Sequence, residues 1–135
     1  MRVLRALLAT VAVAGTLLTA TTAAEAATTT HWQLTYGASK AVGTIAWGDG
    51  RTAGVSGTIH AVSGFRQVCF WGINGGTSTP DTPCWATFPG VDTPFSDSLT
   101  INVPGGVNTI YLNFSDQYHH EFDQQRCTRS GCVAG

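Results

Sequence analysis

The stretch Ser96–Ser115, SDSLTINVPGGVNTIYLNFS, limits the fold more than any other part of the chain. Leu99, Ile101 and Val103 alternate with Ser98, Thr100 and Asn102. Beyond Pro104-Gly105-Gly106, Ile110, Leu112 and Phe114 alternate with Thr109, Tyr111 and Asn113. Successive side chains of a strand point to opposite faces, so each run has one apolar and one polar face. The two runs are expected to be half-buried strands whose apolar faces share one core.

The same period recurs along the chain. His31–Tyr36 puts Trp32, Leu34 and Tyr36 on one face, and Ala41–Trp47 does the same for Ile45 and Trp47. Ala53–Val62 sets Val55, Gly57, Ile59 and Ala61 against Ser56, Thr58 and His60. A glycine inside a strand leaves room above it, so a bulky ring, such as a tryptophan, is expected over Gly57. Gln67–Ile73 holds an unbroken Val68-Cys69-Phe70-Trp71 run. Such a run suits a strand covered on both sides, or one with a core face and a ligand face. Cys84–Phe88 is a short fifth strand. Gly48-Asp49-Gly50-Arg51 carries the Asp-Gly hairpin signal. Ser63-Gly64 is a turn, and Asn74–Pro83 and Pro89–Pro94 are loops of turn-forming residues. Residues 48–53 match GxGxxA by letter, but that dinucleotide fingerprint needs a following helix and a strand is expected here. After Ser115 the alternation stops, leaving a polar segment with room for an irregular or short edge strand. Seven short strands in about a hundred residues predict a two-sheet antiparallel β-sandwich, with a small closed barrel as the alternative.

The first 26 residues have the layout of a secretory signal peptide. Arg2 and Arg5 precede the uncharged apolar run Ala6–Leu18, and Ala24-Glu25-Ala26 offers small residues at the cleavage positions. The apolar run is shorter than the ~20 residues that cross a bilayer. The remaining residues, 27–135, make one domain by size. They carry five basic residues (Lys40, Arg51, Arg66, Arg126, Arg129) and seven acids (Asp49, Asp81, Asp92, Asp97, Asp116, Glu121, Asp123). This balance excludes nucleic acid and anionic membrane as main partners, because both require a basic patch. The product is expected to be secreted, soluble and monomeric.

All four cysteines lie in this part. An even number in an exported small domain reads as disulfides. Four cysteines allow three pairings, of which Cys69–Cys84 and Cys127–Cys132 close the shortest loops. The chain-entropy model gives ~3 kcal/mol for the first and ~2 kcal/mol for the second. A zinc site is disfavoured by the wide spacings and by the oxidising address.

No motif identifies a reaction. The Gly-x-Ser-x-Gly elbow is missing, no thiolate is expected, and the carboxylates are scattered. Nothing calls for a cofactor. Asp116, His119, His120, Glu121 and Asp123 gather imidazoles and carboxylates in one segment, the raw material of a metal site or an acid/base pair. Their spacing fits neither HExxH nor an EF-hand loop, so a solvated capping segment is the stronger reading. The aromatics carry the functional hint. Trp71 and Trp85 each lie near a bridge cysteine, so the bridge is expected to bring them into one neighbourhood, and with Phe65 and Tyr118 they form the expected ligand-binding set. Exposed rings stack on sugars or anchor proteins; the alternative is packing against a disulfide in the core. The sequence therefore points to a non-catalytic protein binding an extracellular carbohydrate or protein. A small-molecule carrier with a cleft between sheets, or a metal-dependent enzyme using residues 116–123, stands second.

The alanine-rich leader, the size of residues 27–135 and the terminal Cys127-Thr-Arg-Ser-Gly-Cys132 loop resemble the small exported β-sandwich proteins of actinobacteria. The cysteine layout is similar to that of the enediyne apoproteins. These have one disulfide in a mid-chain hairpin and one joining cysteines four apart. That resemblance implies an immunoglobulin-like sandwich. The chain departs from the pattern in its longer first cysteine loop and in ending just after Cys132, so no ligand-binding position transfers.

Overall fold

Most of the period-two patterning becomes strand in the computed structural model, which describes residues 28–48 and 50–135, although residues 61–62 and 101–103 lie beyond their strand ends. The expected signal peptide at 1–26, Ala27, and Asp49 of the Asp-Gly turn signal lie outside the described residues. Ten strands follow one another: β1 (Thr28–Tyr36), β2 (Ser39–Trp47), β3 (Thr52–His60), β4 (Arg66–Asn74), β5 (Thr77–Ser78), β6 (Cys84–Thr87), β7 (Asp92–Thr100), β8 (Thr109–Ser115), β9 (Glu121–Thr128) and β10 (Gly131–Ala134). They form a four-stranded sheet, β1-β2-β3-β7, and a six-stranded sheet, β10-β9-β8-β4-β5, in which β6 also pairs with β4. Every pairing is antiparallel. The two sheets pack face to face as a sandwich, not a closed barrel.

The runs at 99–103 and 110–114 do share one core, but from opposite sheets. Leu99 belongs to β7, beside β3, whereas Ile110, Leu112 and Phe114 belong to β8, beside β4. Strand β7 begins at Asp92, inside the segment expected as a loop, because Pro94 is tolerated on a sheet edge. Residues 116–135, expected to hold one weak strand at most, supply the β9–β10 hairpin. Its polarity hid it: β9 is half-exposed for most of its length, and only Cys127 is fully buried.

One row of the core shows how the sequence sets the packing. Trp32, Gly43, Gly57 and Phe95 are direct neighbours across β1, β2, β3 and β7. The Trp32 indole lies across both glycines; a Cβ at either would come within 2.6 Å of the ring. Its centroid is 5.9 Å from that of Phe95. A ring over Gly57 is thus found, and Gly43 proves to be the second half of the same slot.

Both disulfides pair as loop length favours. Cys69 faces Cys84 across β4 and β6, and Cys127 faces Cys132 across β9 and β10, with Cα separations of 4.1 and 4.0 Å. Among the described residues no helix is long and apolar enough to cross a membrane.

Candidate functional site

The topology gathers one end of every long strand and four connections at one end of the sandwich. Tyr36 pairs with Ser39, His60 with Asp92, Arg66 with Thr87, and Ser115 with Glu121. The β1–β2 turn and the β3–β4, β6–β7 and β8–β9 loops therefore converge there. Of the seven large apolar side chains exposed among the described residues, five sit at this end: Tyr36, Val62, Phe88, Val91 and Tyr118. Tyr118 is 72% exposed and Phe88 66%. Phe65 meets Phe88 edge to face at 5.5 Å, and the Gly90 N–H donates to the Ala61 carbonyl at 3.0 Å, tying two of the loops together. Tyr36 and Phe122 stack at 3.9 Å across the gap between the sheets. Phe122 is available for this because the β8–β9 register skips it: Phe114 faces Asp123 and Ser115 faces Glu121. A bulge re-aims a side chain in this way. Under these rings lies Arg66, 7% exposed, its guanidinium carbon 5.3 Å from the centre of the Tyr36 ring and 4.9 Å from that of Phe122. Its Nη1 donates to the Phe65 carbonyl at 2.7 Å.

The polar segment folds into this end as a capped loop. The Asp116 carboxylate accepts from the backbone N–H groups of Tyr118 and His120 and pairs with the His120 imidazole at 3.0 Å. Desolvation raises its pKa, but the backbone bonds from His120 and Tyr118 and the His120 imidazole outweigh that and hold it below its ordinary value. His119 sits in the left-handed backbone region, φ 62°, with its Nδ1 3.2 Å from the Gln67 amide nitrogen. Glu121 accepts from Asn113, and Asp123 accepts from the backbone N–H of Thr35. The segment's acidic and imidazole groups thus point to different tasks. No three His, Cys, Asp or Glu side chains converge on a metal-sized space among the described residues.

Trp71 and Trp85 are not neighbours. Trp71 is two residues from Cys69 and shares its outward face; Trp85 is one residue from Cys84 and takes the opposite face. Trp71 stands half-exposed on the outer face of the six-stranded sheet, stacked on Tyr111 at 5.3 Å. Arg126 is next in that row, and Asn113 and Gln124 occupy the adjacent one. Trp85 turns inward at the β6 edge. It stacks on Phe95 at 6.0 Å and donates its indole N–H to Asp97 at 3.3 Å. The neighbourhood expected from the Cys69–Cys84 bridge does not form, because strand parity about the two cysteines sends the rings to opposite faces.

The space between the sheets is filled by Trp47, Phe70, Phe114 and their neighbours. A depression of about 500 Å³ opens instead at the β1 edge, lined by Trp32, Gln33, Val42 and Gln125 among others. Of the expected ligand set, Phe65 and Tyr118 fall at the aromatic end, Trp71 on a sheet face and Trp85 inside. Sequence reading passed over Tyr36, Arg66, Phe88, Tyr111 and Phe122. The available signal was positional: Phe65-Arg66 and Phe88 flank predicted loops, where large apolar residues are unusual. Comparison with known protein families, characterised proteins and solved structures finds no match for this chain.

Proposed function

We propose that the chain is the precursor of a secreted, non-catalytic binding protein whose target is another protein and whose contact surface is the aromatic end. One observation carries this reading: five exposed large apolar side chains gather where four connections converge, on a rigid two-sheet scaffold. Contiguous exposed apolar surface on a soluble domain marks an interaction site. Aliphatic Val62 and Val91 beside Phe88 and Tyr118 suit a protein surface better than a sugar ring, which asks for flat aromatic platforms flanked by planar polar groups. Secretion is supported by the leader at 1–26 and by two disulfides, which persist in oxidising compartments. The mature product is expected to begin at Ala27, which mass spectrometry of exported protein will check. The immunoglobulin-like reading of the sandwich rests on its interlock: β3–β7 in one sheet and β4–β8 in the other, with crossings at β3–β4 and β7–β8.

The test is capture of exported proteins by the immobilised mature chain. The double variant Phe88→Ser/Tyr118→Ser should lose the captured species while keeping its melting temperature within a few degrees, since both side chains are solvent-exposed. Retained capture would remove the aromatic end from consideration.

A second reading, carbohydrate binding, is favoured by Trp71 and Tyr111 standing beside Asn113, Gln124 and Arg126 on the outer sheet face. Stacking rings with planar hydrogen-bonding side chains are the chemistry of sugar recognition. Retention on insoluble polysaccharide that disappears in Trp71→Ala would support it.

A further inference from the structure

Arg66 is a buried charge without a counter-charge. Its residue is 7% exposed, its Nη1 is committed to the Phe65 carbonyl, and its Nε is enclosed with no acceptor. Removing a guanidinium from water is costly unless an anion and full hydrogen bonding replace the solvent. The faces of Tyr36 and Phe122 return part of that cost through cation–π attraction. A carboxylate would return the rest, yet the acids at this end have other tasks. Asp92 pairs with His60, Asp116 caps its own loop, Glu121 accepts from Asn113, and Asp123 accepts from Thr35. No ion pair to Arg66 forms among the described residues.

The missing side chain at Gly64 leaves room beside the guanidinium. Gly64 has φ +74° and lies against it, so a Cβ there would stand 3.1 Å from Nη1 and 3.9 Å from Cζ and Nη2. Any side chain at that position would narrow the path. With Nη1 committed to the Phe65 carbonyl and Nε enclosed, Nη2 is the guanidinium nitrogen left to meet an anion. A hydrogen bond from a charged donor to a carboxylate oxygen is shorter and stronger than a neutral one. Phe65, whose carbonyl holds Nη1, and Phe88, packed edge to face on it, would help keep water from such a pair, as the apolar surround of an interface hot spot does.

We infer that the aromatic end reads a carboxylate: Arg66, framed by Tyr36 and Phe122 and reached past Gly64, receives an acidic group of the protein partner while the partner's neighbouring apolar side chains seat on Phe65 and Phe88. This rests on the protein-binding reading above and specifies the partner's chemistry. The carboxylate has two sources, an aspartate or glutamate side chain or a free chain terminus.

The experiment follows the Arg66 Nε–H resonance by nuclear magnetic resonance in the mature disulfide-bonded protein. Three probes are titrated at constant ionic strength: N-acetylglycinate for a chain terminus, N-acetylglutamyl amide for a side chain, and N-acetylglutaminyl amide as the neutral control. A saturable shift with either carboxylate and none with the neutral amide is expected, the tighter of the two naming the source. Gly64→Asn, which tolerates left-handed backbone but covers the guanidinium, should abolish the shift. Equal shifts with all three probes, or none with any, would overturn the inference. In partner capture, Arg66→Met preserves side-chain length without charge and should weaken retention about thirtyfold or more, the usual cost of removing one member of a desolvated ion pair. Full retention by Arg66→Met alongside loss in Phe88→Ser/Tyr118→Ser would overturn the carboxylate and leave the surface standing. Retention by the double variant, with the resonance still titrating, would retire the surface and leave the anion site.

Discussion

Gly57 shows how little slack a single position has. A Cβ there would stand 2.5 Å from the Val42 carbonyl oxygen and 2.6 Å from the Trp32 ring. Overpacking a filled core costs about 1–3 kcal/mol. Gly57→Ala should therefore lower the urea midpoint by that free energy divided by an unchanged m-value. Asp116 makes a contribution that depends on pH. Its folded pKa lies below its unfolded one, so its stabilisation is fully present above the ordinary carboxylate pKa of about 4 and is lost as pH falls through the lowered value. The Tyr118 and His120 amides should lose protection, measured against the intrinsic exchange rate at each pH, as the solution is acidified through this window. In Asp116→Asn that pH-dependent loss of protection should vanish. Protection that stays constant with pH in the unsubstituted protein would contradict the loop's dependence on a charged Asp116.

Among the elements, the sheet edges govern whether the molecule stays single. Strand β1 is an edge of the four-stranded sheet, yet two of its outward N–H groups are taken by β9 side chains: Gln33 donates to Gln125 Oε1 at 3.0 Å and Thr35 to Asp123 Oδ2 at 2.9 Å. Asp123→Ala should cost roughly 0.5–1.5 kcal/mol and speed hydrogen exchange at Thr35. Strand β7 is the opposite edge and carries two guards, Pro94 and the inward-pointing Asp97 held by the Trp85 indole. Asp97→Val removes the inward charge and leaves the indole N–H without its acceptor. It should promote concentration-dependent association, read by light scattering on size-exclusion chromatography. These elements were legible in unequal measure. β1 to β4 and β6 stand within a few residues of the alternating runs, because one buried face imposes period two. β9 and β10 were not, because their side chains face β1, a neighbouring strand or solvent in place of the main core.

For the molecule as a whole, the two disulfides brace regions of different character. Cys69–Cys84 straps β6 to β4 on the outer sheet face, whereas Cys127 is fully buried and its bridge ties β10 into the core. By loop length alone the first contributes about 1 kcal/mol more than the second. The Cys127→Ala/Cys132→Ala pair should narrow or reverse that ranking, because it also removes packed sulfur from the interior. Comparing the two double variants by thermal melting settles the order. Trp32 and Trp47 are enclosed while Trp71 and Trp85 are half-buried. Acrylamide should therefore quench only part of the tryptophan emission, and Trp71→Phe should reduce the quenchable part most.

Local patterning by itself settled the all-β class, most of the strands, the cysteine pairs and the ring over Gly57. Each follows from spacing: period two, loop length, or a missing side chain where a neighbour must fit. Spacing did not separate Trp71 from Trp85: closeness to the bridge cysteines pointed to one neighbourhood, and only the β4–β6 pairing puts them on opposite faces. The meeting of Tyr36, Phe65, Arg66, Phe88, Tyr118 and Phe122 was decided only by tertiary structure. Those residues come from both sheets, and only the chain crossings β3–β4 and β6–β7, the β8–β9 loop and one bulge bring them to a single end. Sequence distance carries no record of which strand ends share an end of a sandwich, so the surface became visible only once the strand order was known.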